Sequence, residues 1–270
     1  MPPATAKKPT SSTTPNSTPK GKVDTEKLLE LVYTLQFAWF VGNVLTVFGF
    51  ISSTLTFIRI LPSLYKLDYL ITLLGILISF GILVFQLVQK NGLRFGILIR
   101  DDNTHYLLLG GFLLFLRPYV WLTLVPFAIF STFHVLAYVN GYILPLVGLD
   151  KSNISSTITN FVSQNNAKSI EAASGIELVT YVWLLLRMIT FRKRSLSPVL
   201  VYTVFLKKRH EVSAFTRSYV KAVADAGDKI VNDVNHPVLR DVWAQIRNVF
   251  GIVDRYKLVN DYTQQEDKTK

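Results

Sequence analysis

Residues 31–58 read LVYTLQFAWFVGNVLTVFGFISSTLTFI, without one charged side chain. A helix rises 1.5 Å per residue, so about 20 apolar residues cross the roughly 30 Å of hydrocarbon in a bilayer. This stretch is long enough. Tyr33, Phe37 and Trp39 near its start suit the interfacial belt where amphipathic rings settle. A chain that carries such a segment is expected to be an all-α, multi-span helical membrane protein.

The composition agrees. Half of the 270 residues are hydrophobic and only 17% are charged, whereas charged residues make up about a quarter of soluble domains. The net charge of +11 gathers at the chain ends and in short connectors. An apolar middle with basic flanks fits a protein facing anionic lipid, so the first expected partner is the lipid bilayer. The competing class, a soluble α/β domain with a nucleic-acid-binding face, fits the charge but not the long uncharged runs, and no nucleic-acid partner is expected. Cysteine is absent, which excludes disulfides, thiolate nucleophiles and cysteine-ligated metals.

The segment 1–27 is a Pro-, Ser-, Thr- and Lys-rich tail that lacks the apolar surface to offset ordering entropy, and is expected to be disordered, as is 261–270. Between them, 28–208 forms a membrane domain with about four spans, and 209–260 a cytosolic tail of amphipathic helices. The second span is Tyr69 to Val88, where Gly75, Ser79 and Gly81 let neighbouring helices approach. The third region, His105 to Val139, is too long for one straight span and is broken at Arg117-Pro118. A half-helix leading into a span is the preferred reading there, with a re-entrant hairpin as the alternative. A polar loop is expected from Asn140 to Ala172. It contains the glycosylation sequon Asn153-Ile154-Ser155. A fourth span runs from Ala173 to Phe191, and VLVYTVFL at 199–206 is too short to cross. Lysine and arginine clusters then put both ends in the cytosol and the sequon loop in the lumen.

The tail carries the most regular pattern. Val238, Leu239, Val242, Trp243, Ile246, Val249, Phe250 and Val253 form one stripe after Pro237, with Arg240, Arg247 and Arg255 beside it. Such a helix can lie in the membrane interface; the alternative is the core-facing helix of a small cytosolic domain. Residues Arg192, Lys193 and Arg194, and again Lys207, Lys208 and Arg209, form basic runs. These either set topology or bind a transport receptor.

Chemistry is harder to find. Asp101 and Asp102 stand where a helix N-cap belongs, and His105 follows one turn later. His134 sits within the third region, where one hydrogen-bonded imidazole supports packing. The four histidines form no metal-ligand spacing, and no phosphate loop, dinucleotide motif or nucleophile elbow occurs. No catalytic, cofactor-binding or metal-binding residue is assigned, and the protein is not expected to be an enzyme. Two rival functions stay in view. One is a small transporter or channel modulator with a polar path near His134, Glu177 and Arg187. The other is a lipid-modifying enzyme built on His105 and Asp102.

The stretches DDNTHYLLLGGFLLF at 101–115, FSTFHVLAYV at 130–139 and LRMITFRKRSLSP at 186–198 resemble the transmembrane protein 33 family. The likeness rests on Asp102, His105, Tyr106, His134, Tyr138 and the Arg-rich stretch at 187–194, and extends over most of residues 28–260. It implies a multi-pass protein of the endoplasmic reticulum and nuclear envelope. The fungal branch is associated with nuclear pore complexes, the animal branch with reticulon-shaped tubules. Nucleoporins, reticulon-type proteins and a nuclear transport receptor are the partners it implies, with the C-terminal amphipathic region contacting membrane and receptor.

Overall fold

The computed structural model describes residues 25–60, 64–192 and 195–258; residues 1–24, 61–63, 193–194 and 259–270 lie outside them. Among the described residues every regular element is helical. The sequence break that starts the bundle is Thr34. It ends helix α1 (Thr25–Val32) and caps α2 (Leu35–Phe57), its hydroxyl donating to Leu31 O and accepting from Phe37 N. The first apolar stretch therefore begins crossing at Leu35 rather than Leu31.

Helix α3 (Tyr65–Asn91) packs on α2 through a seam of small residues. Gly42, Thr46, Gly49 and Ser53 face Asp68, Thr72, Gly75 and Ser79, all buried. A methyl group on Gly75 would lie 2.6 Å from the Thr46 backbone nitrogen, and one on Gly49 2.8 Å from that of Thr72. Backbone cannot yield as a side-chain tip can. The third glycine named from the sequence, Gly81, has no such contact; its nearest neighbour would be Leu107 at 4.0 Å. Thr46 and Thr72 donate to carbonyls one turn back, and Thr56 to the buried Asp68 carboxylate (3.0 Å). These threonines thereby satisfy their hydroxyls without water, as hydrocarbon requires. Gly75→Leu should cost about 2–3 kcal/mol through overpacking, read as a lower melting temperature in detergent, whereas Gly81→Leu should be nearly neutral.

The region around Arg117-Pro118 is a helical hairpin. This corrects the preferred half-helix reading. Helix α5 (Asp102–Leu116) ends where Arg117 and Tyr119 take left-handed φ of 47° and 51°. A 3₁₀ turn (Trp121–Leu124) leads into α6 (Val125–Tyr138), which continues through a π turn (Val139–Ile143) to α7 (Leu144–Leu146). Before the hairpin comes only the single turn α4 (Phe95–Leu98). Tyr106 on α5 contacts both Phe127 and Phe130 on α6, so the two helices run antiparallel about the proline. Two residues in the left-handed region reverse the chain; a helix-breaking proline alone would only bend it.

Reversal reassigns the ends of the bundle. Phe40 stacks on Tyr138 (4.4 Å) and Phe80 lies against Tyr106, so the starts of α2 and α5 and the ends of α3 and α6 share one end. Trp121 donates to Thr54, and Tyr65 donates to the Tyr119 carbonyl, marking the other. Helix α8 (Asn153–Ile189) then runs from the first end, where Ser155 donates to Asn140, to the second, where Thr180 donates to Leu122 O. Helix α9 (Leu196–Val212) returns. Four helical segments are long and apolar enough to span: 35–57, 65–91, 121–146 and 153–189. The shorter α5 and α9 lie among them and present Leu108, Phe112 and Phe115, and Leu196, Leu200 and Val204, as exposed apolar faces.

Two expectations fall with this geometry. Residues 153–172 are helix rather than loop, because Ser152 caps α8 by accepting from Ser155 N and no glycine or proline follows until Gly175. The sequon loop also lies at the same end as Leu35 and the connector at 92–101, not opposite them, while Arg192 lies at the far end with Ile60. A protease-cleavable tag at Gly148 should therefore be cut in intact microsomes, with Asn153 unglycosylated. Protection of the tag would refute the hairpin.

Candidate functional site

Where the start of α5, the middle of α8 and the end of α9 meet, three ionisable side chains converge. Arg209 sits in the last turn of α9 and Asp102 in the first turn of α5, positions where each charge complements its helix dipole. Arg209 Nη1 lies 3.2 Å from Asp102 Oδ2, and its Nε lies 3.5 Å from Glu177 Oε2 on α8. The second contact is an ion pair by distance without hydrogen-bond alignment. Tyr106 closes the cluster: its hydroxyl donates to Glu177 Oε1 (2.6 Å) and its ring lies under the guanidinium at 5.3 Å. Glu177 is 1% exposed and Arg209 3%. The arrangement ties three helices together by charge; it offers no open cleft for a substrate.

Beyond Arg209 the chain forms a second hairpin. Ser213 caps α10 (Ala214–Val234), and left-handed Asn235 ends it before Pro237 opens α11 (Pro237–Arg255). This is the punctuation that Asn235-His236-Pro237 announces. Helix α10 rests on α8, where Tyr219 lies over Gly175. Helix α11 folds back on α10. Trp243 Nε1 donates to Asp228 Oδ1 (2.6 Å), Arg247 Nη2 donates to Asp228 Oδ2 (2.9 Å), and Arg240 bonds to the Asn235 side chain. The hairpin returns far enough for Leu258 N to donate to Glu211. On the outer face of α11, Val238, Leu239, Val242 and Ile246 are 37–62% exposed.

The model of the transmembrane protein 33/nucleoporin POM33 family matches residues 21–257. The chain belongs to that family. Similar proteins include the "pore membrane protein of 33 kDa" of Saccharomyces cerevisiae, 30% identical over 83% of each chain. "Tetra-spanning protein 1" of Schizosaccharomyces pombe is 28% identical over 81% of this chain and 84% of its own. "Nucleoporin POM33" of Chaetomium thermophilum is 27% identical over 86% and 91%. No solved structure matches. The family is one of structural membrane proteins rather than enzymes.

Within this family frame, the residues singled out from sequence separate into groups. Asp101 is the N-cap of α5, accepting from Thr104 N (2.8 Å), while Asp102 turns to Arg209. His105 bonds through Nε2 to the Ile99 carbonyl (2.7 Å), and His134 lies against Trp39 at 5.0 Å. The polar path of the transporter reading does not assemble: Glu177 faces Tyr106 and Arg209, and His134 faces Trp39. Among the described residues, no three His, Asp or Glu gather as metal ligands.

The second basic run is used internally. Lys208 and Arg209 are 5% and 3% exposed, and Lys207 pairs with Glu211 (3.3 Å). A receptor reading an accessible peptide finds none of it. Arg192 is exposed; Lys193 and Arg194 fall outside the described residues. Of the tail stripe, Trp243 is occupied against α10, and the side chains of Val249, Phe250 and Val253 are outside the described set. Of the arginines beside the stripe, Arg240 bonds to Asn235 and Arg247 to Asp228 of α10, while Arg255 is exposed. Sequence reading missed the partners of Arg209, because they lie far apart in the chain. The one available signal was an acid, Glu177, inside an otherwise apolar stretch.

Proposed function

We propose that this protein is a multi-pass structural component of the endoplasmic reticulum and nuclear envelope, where it supports nuclear pore complex organisation and membrane curvature. The bundle anchors it, with the end that carries Leu35, Gly148 and the α10–α11 hairpin in the cytosol. That end holds Lys90, Arg94, Arg100 and Lys207 and the opposite end Arg59, Lys66, Arg117 and Arg192, so the cytosolic assignment rests on the hairpin rather than on the positive-inside bias. The hairpin lies against the cytosolic leaflet and inserts the outer face of α11. The observation that carries this reading is that face: four large aliphatic side chains exposed on a helix docked beside a membrane bundle. An aqueous surface does not keep such a stripe without a partner.

Partners in this reading are the lipid bilayer and nucleoporins, with reticulon-type proteins sharing the same curved membrane. A transport receptor in this reading uses the tail, because the 207–209 run is buried and Arg192 lies at the opposite end of the bundle. The test is location. A tagged full-length chain should mark the nuclear rim and reticulum with enrichment at pores. A chain ending at Val212 should enter membranes yet lose that enrichment. Equal enrichment of both would sink the assigned role of the hairpin.

A further inference from the structure

One carboxylate joins the two C-terminal helices. Asp228 on α10 accepts from Trp243 with one oxygen and from Arg247 with the other. Its two partners are four residues apart on α11, hence stacked on one helix face. The indole sits on Gly227, where an added Cβ would lie 2.2 Å from its ring. Glycine inside a helix is otherwise unfavourable, so the seat explains the residue. Each clasped residue directly follows a stripe residue, Trp243 after Val242 and Arg247 after Ile246. At about 100° per residue, Trp243 stands roughly 85° and Arg247 roughly 125° from the centre of the face formed by Val238, Leu239, Val242 and Ile246.

We infer that Asp228 is the positioning residue of the membrane-binding surface: by gripping Trp243 and Arg247 it fixes the rotation of α11 so that Val238, Leu239, Val242 and Ile246 face lipid together. A single exposed ion pair holds little, and one contact leaves a helix free to roll. Two contacts on successive turns, with a ring packed against backbone between them, do not. If α11 rolled by one residue spacing, Trp243 and Arg247 would occupy the lipid-facing sector and Val242 and Ile246 would leave it. The inference rests on the lipid-binding reading of α11 and adds that Trp243 belongs to the protein interior of the hairpin.

The cysteine-free sequence allows single spin labels on the full-length chain in vesicles of phosphatidylcholine and phosphatidylserine. Labels at 241, 242, 244, 245 and 246 are compared for collision with oxygen, which partitions into lipid, and with a water-soluble nickel chelate. Oxygen maxima are expected at 242 and 246. Asp228→Ala should flatten or shift that periodicity, and Asp228→Glu should retain it. Gly227→Leu, which evicts the indole and leaves the carboxylate, should act like Asp228→Ala. A label at Arg217, on the polar side of α10, should be unchanged in every variant and so reports that α10 still folds. Unaltered maxima in both Asp228→Ala and Gly227→Leu would overturn the positioning role. Absence of any oxygen maximum in the parent chain would overturn the lipid-binding reading and this inference with it.

Discussion

Glu177→Ala is expected to lower the stability of the bundle by about 3–5 kcal/mol, the range found when one partner of a buried ion pair is removed. In a detergent melt that corresponds to a fall of roughly 10 °C or more for a chain of this size. The reason is what remains. Arg209 is 3% exposed, and its other carboxylate, Asp102, lies at the more accessible edge of the cluster. Without Glu177, the Nε side of a guanidinium that cannot discharge faces the interior, and Tyr106 loses the acceptor of its 2.6 Å hydrogen bond. Burying an unpaired charge costs far more than the pair contributes when intact. It follows that Glu177→Leu combined with Arg209→Met should be less destabilised than the two single changes summed. A double mutant as poor as that sum would show that the charges act separately.

The damage should also reach the tail. The Ser213 cap of α10 lies four positions after Arg209. The clamp on α5 and α8 therefore fixes where the C-terminal hairpin leaves the bundle. This is a coupling from packing to function: the charges hold the scaffold, and the scaffold presents the surface.

How much of this was legible in the sequence depended on whether the signal was local. Residues 31–58 and 69–88 announce themselves by length and lack of charge, and Pro237 after Asn235 marks a helix boundary through backbone chemistry. Tertiary reversals leave weaker marks. Arg117-Pro118 favours a kink when read locally, and the left-handed φ at Arg117 and Tyr119 decides for the hairpin. That choice then carried the error about the sequon loop, since the additional crossing by α5 reverses the side of each connector until α9 crosses back. The polar run at 153–172 resembled a loop because its serines, threonines and asparagines favour turns; in the structure they bond back onto their own helix, as Thr157 does to Asn153 O. Trp243 illustrates a different limit. Periodicity placed it at the centre of an apolar stripe, but periodicity cannot distinguish a lipid-facing side chain from one seated on a neighbouring glycine.

The sharpest test of the surface itself replaces Val242 and Ile246 together by Asp. These side chains are 48% and 40% exposed, so in water the change should alter stability by no more than about 0.5 kcal/mol per site. On a bilayer the same pair contributes apolar burial worth roughly 2–4 kcal/mol, which converts to about a 30- to 1,000-fold loss of vesicle affinity. Repulsion from anionic lipid adds to the loss at low salt and fades as salt screens it. The assay is flotation of the 213–258 segment with small anionic vesicles, where loose packing admits bulky side chains. Helix content measured by circular dichroism should rise on binding, since a helix of this length is marginal in water. Placing the same two charges at Gln245 and Asn248, exposed on the polar side, separates charge from burial: that control should weaken binding only modestly. If both double mutants bind equally, the attraction is electrostatic and the stripe is not inserted. If the Val242/Ile246 variant binds like the parent, the face is covered by protein, and the hairpin serves as a docking element for a neighbouring pore component.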